Sequence, residues 1–125
     1  MNYRYDGRVT DERMEVYLET LSHSVPEYIE KLAAYASDAH VPVMRRQTGE
    51  LLRFIINSNN ITNILEVGTA IGFSALYMAE CGKTVKIDTI EKVPARIGQA
   101  ADNFSAYDKY GRITLYPGDA KEVLD

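Results

Sequence analysis

With 125 residues, 46% of them hydrophobic, the chain has the size of one domain and enough apolar side chain to build a core. Its 14 Lys+Arg against 18 Asp+Glu give a net charge of −4, which offers no general attraction to a phosphate backbone but leaves room for a local basic patch. A single cysteine, Cys81, excludes an intrachain disulfide and a site built on several thiolates, and fits a reducing, cytoplasmic setting. No apolar run approaches the roughly 20 residues of a membrane span, and no signal-peptide stretch opens the chain, so no membrane association is expected.

Residues 1–9 read as a polar tail. Thr10 is placed to cap a helix whose first turn carries Asp11 and Glu12, with Met14, Tyr17, Leu18 and Leu21 at helical spacing. Ser24 and Glu27 form a capping-box pattern with Pro26 in the first turn, and Tyr28, Ile29, Leu32, Ala33 and Ala36 make the stripe of a second helix. His40-Val41-Pro42-Val43 breaks it. A third helix is predicted over about 46–56, with Leu51, Leu52 and Ile55 inward, followed by a loop at Asn57-Ser58-Asn59-Asn60.

From Ile61 the pattern changes. Ile61 to Val67 is a short β-branched run ending in Gly68, read as a buried strand, and Phe73 to Ala79 a helix closed by Gly82. Thr84 to Ile90 is a second strand ending at Glu91. Pro94 starts a helix with Ile97, Ala100, Ala101 and Phe104 in register. Gly111 turns into a third strand, Ile113 to Tyr116, ended by Pro117-Gly118-Asp119, and a further helix starts at Ala120. Residues 1–60 are thus a tail and a helical segment, and residues 61–125 a β-α-β-α-β series. Alternation of this kind implies an α/β fold with a parallel sheet. Ligands of such sheets bind beyond the carboxyl ends of the strands.

The distinctive residues fall at those ends. In Glu66-Val67-Gly68-Thr69-Ala70-Ile71-Gly72-Phe73-Ser74, the two glycines let a strand-to-helix turn pass close to a ligand and expose helix N–H groups to it. A dinucleotide site wants Gly-x-Gly-x-x-Gly, whose second glycine admits a pyrophosphate. Ala70 and Phe73 stand where the second and third glycines would be, which argues against a nicotinamide-dependent dehydrogenase. S-adenosylmethionine has no pyrophosphate. It needs a turn for its methionine part, a carboxylate for the ribose diol and a small polar pocket for adenine. Glu91, 25 residues after Glu66, can accept from ribose hydroxyls, and Asp119, behind the turn at Gly118, from the adenine amino group. Each feature has a plainer alternative: a tight connection for Gly68 and Gly72, a surface residue for Glu91, a helix N-cap for Asp119. Their succession at three strand ends favours a nucleoside cofactor.

The segment Glu66 to Leu76, with Asp88-Thr89-Ile90-Glu91 and Tyr116-Pro117-Gly118-Asp119-Ala120, resembles the catechol/caffeoyl-CoA O-methyltransferase family. With His40-Val41-Pro42-Val43-Met44, it is most similar to a bacterial branch, the tRNA 5-hydroxyuridine methyltransferases. The likeness runs from about Leu21 onward. It implies a Rossmann-like class I methyltransferase sheet, incomplete here, preceded by N-terminal helices. It implies that Met44 lies over the cofactor, that Glu66, Gly68, Thr69 and Ser74 hold the methionine part, with Gly72 also in the cofactor site, and that Glu91 binds the ribose. Gly118, Asp119 and Ala120 would take the adenine. Without the likeness, Met44 is an ordinary apolar residue beside a proline break. The implied reaction moves a methyl group from S-adenosylmethionine to a hydroxyl oxygen with a divalent metal such as Mg. The implied partners are tRNA or a small hydroxylated aromatic, and a second copy in a homodimer. Family members continue well past this length and take their metal ligands from later strands, so the catalytic and metal-binding groups are expected beyond Asp125. A non-catalytic S-adenosylmethionine-binding module is the alternative for the chain taken literally.

Other residues are set aside. Cys81 reads as a packing residue. His23 and His40 are 17 apart without a third ligand. Arg45-Arg46 reads as a solvated helix start before an RNA contact, and the aromatic–basic tail of Tyr3, Arg4, Tyr5 and Arg8 as disordered before an RNA-stacking arm.

Overall fold

The computed structural model describes residues 11–125; Tyr3, Arg4, Tyr5, Arg8 and Thr10 lie outside them. Helix α1 spans Glu12–Leu21, and its N-cap is Asp11, whose carboxylate accepts from the backbone N–H of Arg13; the expected Thr10 cap is displaced by one residue. Its apolar stripe buries nothing: Met14, Tyr17, Leu18 and Leu21 are all exposed. Helix α2 spans Glu27–Asp38 and buries Ile29, Leu32 and Ala36, the centre of the expected stripe. The Ser24–Glu27 capping box does not form, because Pro26 itself is the N-cap, and no side chain caps the helix.

Helix α3, Arg46–Ser58, runs through the start of the expected loop. Its inward face is Gly49 and Ile56 with Leu52 half-buried, whereas Leu51 and Ile55 point outward, against expectation. The reason is steric. A Cβ built on Gly49 would lie 2.7 Å from the Tyr77 ring, so the face that meets the next helix must be the one carrying the glycine.

Strand β1 (Asn63–Val67), helix α4 (Phe73–Cys81), strand β2 (Lys86–Glu91), helix α5 (Pro94–Tyr107), strand β3 (Ile113–Pro117) and the short helix α6 (Ala120–Val123) follow. The strands are parallel in the order β1-β2-β3, with Ile64, Ile87 and Ile113 in one register row. Right-handed crossovers put α4 and α5 on the same face of such a sheet. That face holds the core: Ile87 and Val85 meet Leu76, Ala75, Ala100 and Phe104, and α2 and α3 close over α4. On the opposite face Leu65 and Val67 are 56% and 62% exposed, so β1 is not the buried strand its composition suggests. A continuous apolar run is the mark of a parallel strand covered on both faces, and here only one is covered. Tyr28 ties the helical layer to the rest: its hydroxyl donates to Glu80 at 2.5 Å and its ring stacks on Tyr107 at 4.5 Å.

Candidate cofactor site at the strand ends

The Glu66–Ser74 segment leaves β1 and folds back on β2. The N–H groups of Gly68 and Thr69 both donate to the Ile90 carbonyl, at 2.8 and 3.2 Å, and the N–H of Gly72 to the Thr69 carbonyl at 2.9 Å. The path requires three residues in the left-handed region: Gly68 at φ +94°, Ala70 at +49° and Gly72 at +88°. The two glycines answer different needs. A Cβ on Gly72 would lie 2.6 Å from the Phe104 ring of α5, whereas a Cβ on Gly68 would meet nothing within 4 Å. Gly72 is therefore a packing residue and Gly68 a residue facing open space. Asn103 of α5 fixes the same turn by donating to the Ile71 carbonyl at 2.7 Å. Ser74 sits half-buried in the first turn of α4.

Two carboxylates lie at the strand ends beside this turn. Glu91, at the end of β2 and 9% exposed, accepts from the N–H of Ala70 at 2.8 Å with Oε2 and from those of Lys92 and Val93 at 3.0 and 2.9 Å with Oε1. It pins the first turn to the second and fixes the strained φ of Ala70. Three of about four acceptor positions are then filled. Glu66, at the end of β1, accepts from the Thr89 hydroxyl at 2.6 Å, and Thr89 is linked in turn to the Thr69 hydroxyl at 2.6 Å. Burial pushes the Glu66 carboxyl up to about 6; the Thr89 hydrogen bond opposes this and the nearby charge of Glu91 adds to it.

The third strand end joins through backbone: the N–H of Gly118 donates to the Glu91 carbonyl at 2.8 Å. Asp119 is the N-cap of α6, accepting from the N–H of Lys121 at 3.0 Å, and its other oxygen lies 3.8 Å from Lys92 Nζ. The plainer role weighed for it is thus occupied, with acceptor capacity to spare. Ala120 opens α6, half-buried. Met44 is half-buried, and with Phe73, Tyr77, Gly49, Val25 and Ile29 it lines a cavity of about 80 Å³ beside the start of α4. Glu66, Gly68, Glu91, Gly118 and Asp119 lie at the carboxyl ends of the three parallel strands, with Thr69, Gly72 and Ser74 on the turn into α4 and Ala120 opening α6, whereas Met44 lines the separate cavity beside α4. The sequence gives no site role to Thr89, Asn103 or Phe104, although Thr89 lies in the Asp88–Glu91 segment and Phe104 in the stripe of α5. Thr89 carried a signal, as a hydroxyl two residues after Ile87 on the buried face of β2.

The residues set aside behave plainly. Arg45 pairs with Glu15 at 2.9 Å and Arg46 with Glu30 at 2.5 Å, closing the helical layer on itself. His23 meets Glu50 at 2.7 Å. Cys81 is buried, donates to the Tyr77 carbonyl at 3.3 Å, and its thiol is pushed up by burial. Among the described residues no group of three or more His, Cys, Asp or Glu could hold a metal ion, and no helix is long and apolar enough to cross a membrane.

Residues 19–125 match the family model described as O-methyltransferase. Over 106 residues the chain is 27% identical to the O-methyltransferase imqG of Aspergillus flavus, covering 85% of this chain and 39% of that protein. A solved Staphylococcus aureus structure, assigned as a caffeoyl-CoA O-methyltransferase, is 32% identical. It superimposes with a TM-score of 0.82, covering 89% of this chain and 53% of that one. The S-adenosylhomocysteine-bound methyltransferase PaMTH1 of Podospora anserina gives 25% identity and a TM-score of 0.82, covering 99% of this chain and 54% of that one. The chain thus spans about half the length of these structures.

Proposed function

The chain belongs to the O-methyltransferase family, and from that premise we propose that it forms the S-adenosylmethionine-binding half of an enzyme that methylates a hydroxyl oxygen. The observation that carries this is the open space at Gly68 beside a turn that brings together the carboxylates of Glu66 and Glu91. S-adenosylmethionine is cationic at its sulfonium and ammonium, which suits two flanking carboxylates; a pyrophosphate would be repelled by them. The solved relative holding S-adenosylhomocysteine supports the same cofactor.

In this reading the turn from Gly68 to Ser74 holds the methionine part, with Glu66 as its countercharge and Met44 over it. Glu91 accepts a ribose hydroxyl at its remaining acceptor position, and Asp119 accepts from the adenine amino group beside Gly118 and Ala120. Bound in this way, the cofactor supplies the electrophilic methyl carbon, and the chain's contribution is to align it.

For the acceptor, we propose a 5-hydroxyuridine in tRNA, which the family resemblance implies. The acidic balance of −4 and the internal pairing of Arg45 and Arg46 favour a second reading, a small hydroxylated aromatic. A divalent metal such as Mg belongs to the proposal for the whole protein, but no group among the described residues fits one. A homodimer is also part of the reading, supported by the exposed apolar stripes of α1 and α3. The test is calorimetric titration of the full chain with S-adenosylhomocysteine and with NAD, followed by assay of methyl transfer to hydroxylated tRNA and to catechols. Binding of NAD and not of S-adenosylhomocysteine overturns the cofactor. Methylation of neither acceptor with metal present overturns the reaction.

A further inference from the structure

We infer that Thr89 is a positioning residue of the cofactor site, acting through a directional hydrogen-bond chain from Thr69 to Thr89 to Glu66. Thr89 lies on β2 at 0% exposure, in register with Glu66 on β1 and Leu115 on β3. A buried hydroxyl costs free energy unless it is hydrogen-bonded, and valine would fill the same space without that cost. Here the hydroxyl is bonded on both sides, at 2.6 Å to Thr69 and 2.6 Å to Glu66.

The direction follows from proton counting. A hydroxyl has one proton and an ionised carboxylate only accepts. The Thr89 proton therefore goes to Glu66, and the Thr69 proton must go to Thr89. This has two consequences. The turn hydroxyl at Thr69, itself 2% exposed, is fixed inward against the sheet. The Glu66 carboxylate is held in its charged form by the single group that opposes burial and the Glu91 charge. Glu91 is the charged group that acts on Glu66 among the described residues; Lys92 is directed to Asp119. With the hydroxyl removed, only the two influences favouring the proton remain, and the countercharge for the cofactor is lost at higher pH than in the wild type.

The role in cofactor binding rests on the function proposed above; the hydrogen-bond chain does not, and the experiment separates them. The Glu66 side-chain carboxyl is followed by ¹³C NMR against pH in the ligand-free full chain, for wild type, Thr89→Val and Thr89→Ser. The expected midpoint is about 6 in wild type. It should rise by about one pH unit in Thr89→Val, by loss of one hydrogen bond to the charged form, and return to the wild-type value in Thr89→Ser. An unchanged midpoint in Thr89→Val, or a serine variant that behaves like valine, overturns the chain. Titration with S-adenosylhomocysteine from pH 5.5 to 8 then reads the function. Thr89→Val should bind about fivefold more weakly near pH 6 and about twofold near pH 7, if only the ionised carboxylate binds. Equal affinities at both pH values, with the midpoint shifted, overturn the positioning role. No binding by the wild type overturns the cofactor reading itself and leaves the NMR result to judge the chain.

Discussion

The Phe104 ring lies where a side chain on Gly72 would have to be, 2.6 Å from the ideal Cβ position, while the same construction on Gly68 meets open space. The two glycines of one motif therefore separate by experiment. Gly72→Ala should cost about 2–4 kcal/mol, from left-handed backbone and overpacking together, seen as a large drop in the urea midpoint. Gly68→Ala should cost only about 1–2 kcal/mol of backbone strain and leave a folded chain with weakened S-adenosylhomocysteine binding. Equal stability losses in the two variants contradict this division.

Glu91 carries structure. Its carboxylate holds the N–H groups of Ala70, Lys92 and Val93. Glu91→Ala should lower stability by about 2–4 kcal/mol, since hydrogen bonds to a buried charge are among the stronger ones. Glu91→Gln, which keeps one carbonyl acceptor, should fall between. Thermal unfolding of the three proteins checks the order, and a Glu91→Ala variant as stable as wild type excludes the tie to the turn.

Glu66 predicts a pH dependence with a definite sign. Its carboxyl is raised from 4.5 to about 6 in the fold, first by burial. The folded state thus binds the proton more tightly than the unfolded chain. Its stabilising contribution is fully present below pH 4.5 and is lost as pH rises through 6. Above that, the ionised carboxylate costs the fold on the order of 2 kcal/mol. Glu66→Gln should flatten this part of the stability profile, measured by urea unfolding from pH 4.5 to 7.5. Cofactor affinity should run the other way in the wild type, rising through pH 6 as the countercharge appears. A stability profile unchanged by the substitution argues against a buried, titrating Glu66.

The apolar stripes outside the site make the fourth prediction. Leu51, Phe54 and Ile55 on α3 and Met14, Tyr17, Leu18 and Leu21 on α1 are exposed, Phe54 by 68%. Side chains of that number and size approach the roughly 800 Å² per partner of a standard interface, and aromatic residues and Met are what interface cores favour. Sedimentation velocity should find a dimer in the wild type and a monomer of unchanged helix content in Phe54→Asp. A wild type that stays monomeric at high concentration, or a dimer indifferent to Phe54, counts against a second copy on this face.

Much of the fold was legible because its signals are periodic. The Ile29–Leu32–Ala36 stripe, the apolar strands and the Gly68, Glu91 and Gly118–Asp119 breaks each mark an element or its end. What stayed hidden depends on partners remote in sequence. The inward face of α3 is set by Gly49 lying under Tyr77, and glycine adds nothing to an apolar count. Pro26 takes the N-cap and defeats the capping box that Ser24 and Glu27 suggest. The exposure of Leu65 and Val67 could not be read from a run whose composition implies two covered faces. In the site, the strand-end residues were readable singly, but their stitching was not. That Glu91 reaches back to Ala70, and that Thr89 joins Thr69 to Glu66, needs the register of β1 on β2.

The most direct test of the cofactor site is calorimetric titration of the full chain and of its Glu91→Ala variant with S-adenosylhomocysteine, using NAD as the competing ligand. The site described here predicts one S-adenosylhomocysteine per wild-type chain, no heat with NAD, and binding weakened or lost in the variant. A folded wild type that takes NAD instead, or a variant that binds S-adenosylhomocysteine as well as wild type, contradicts it.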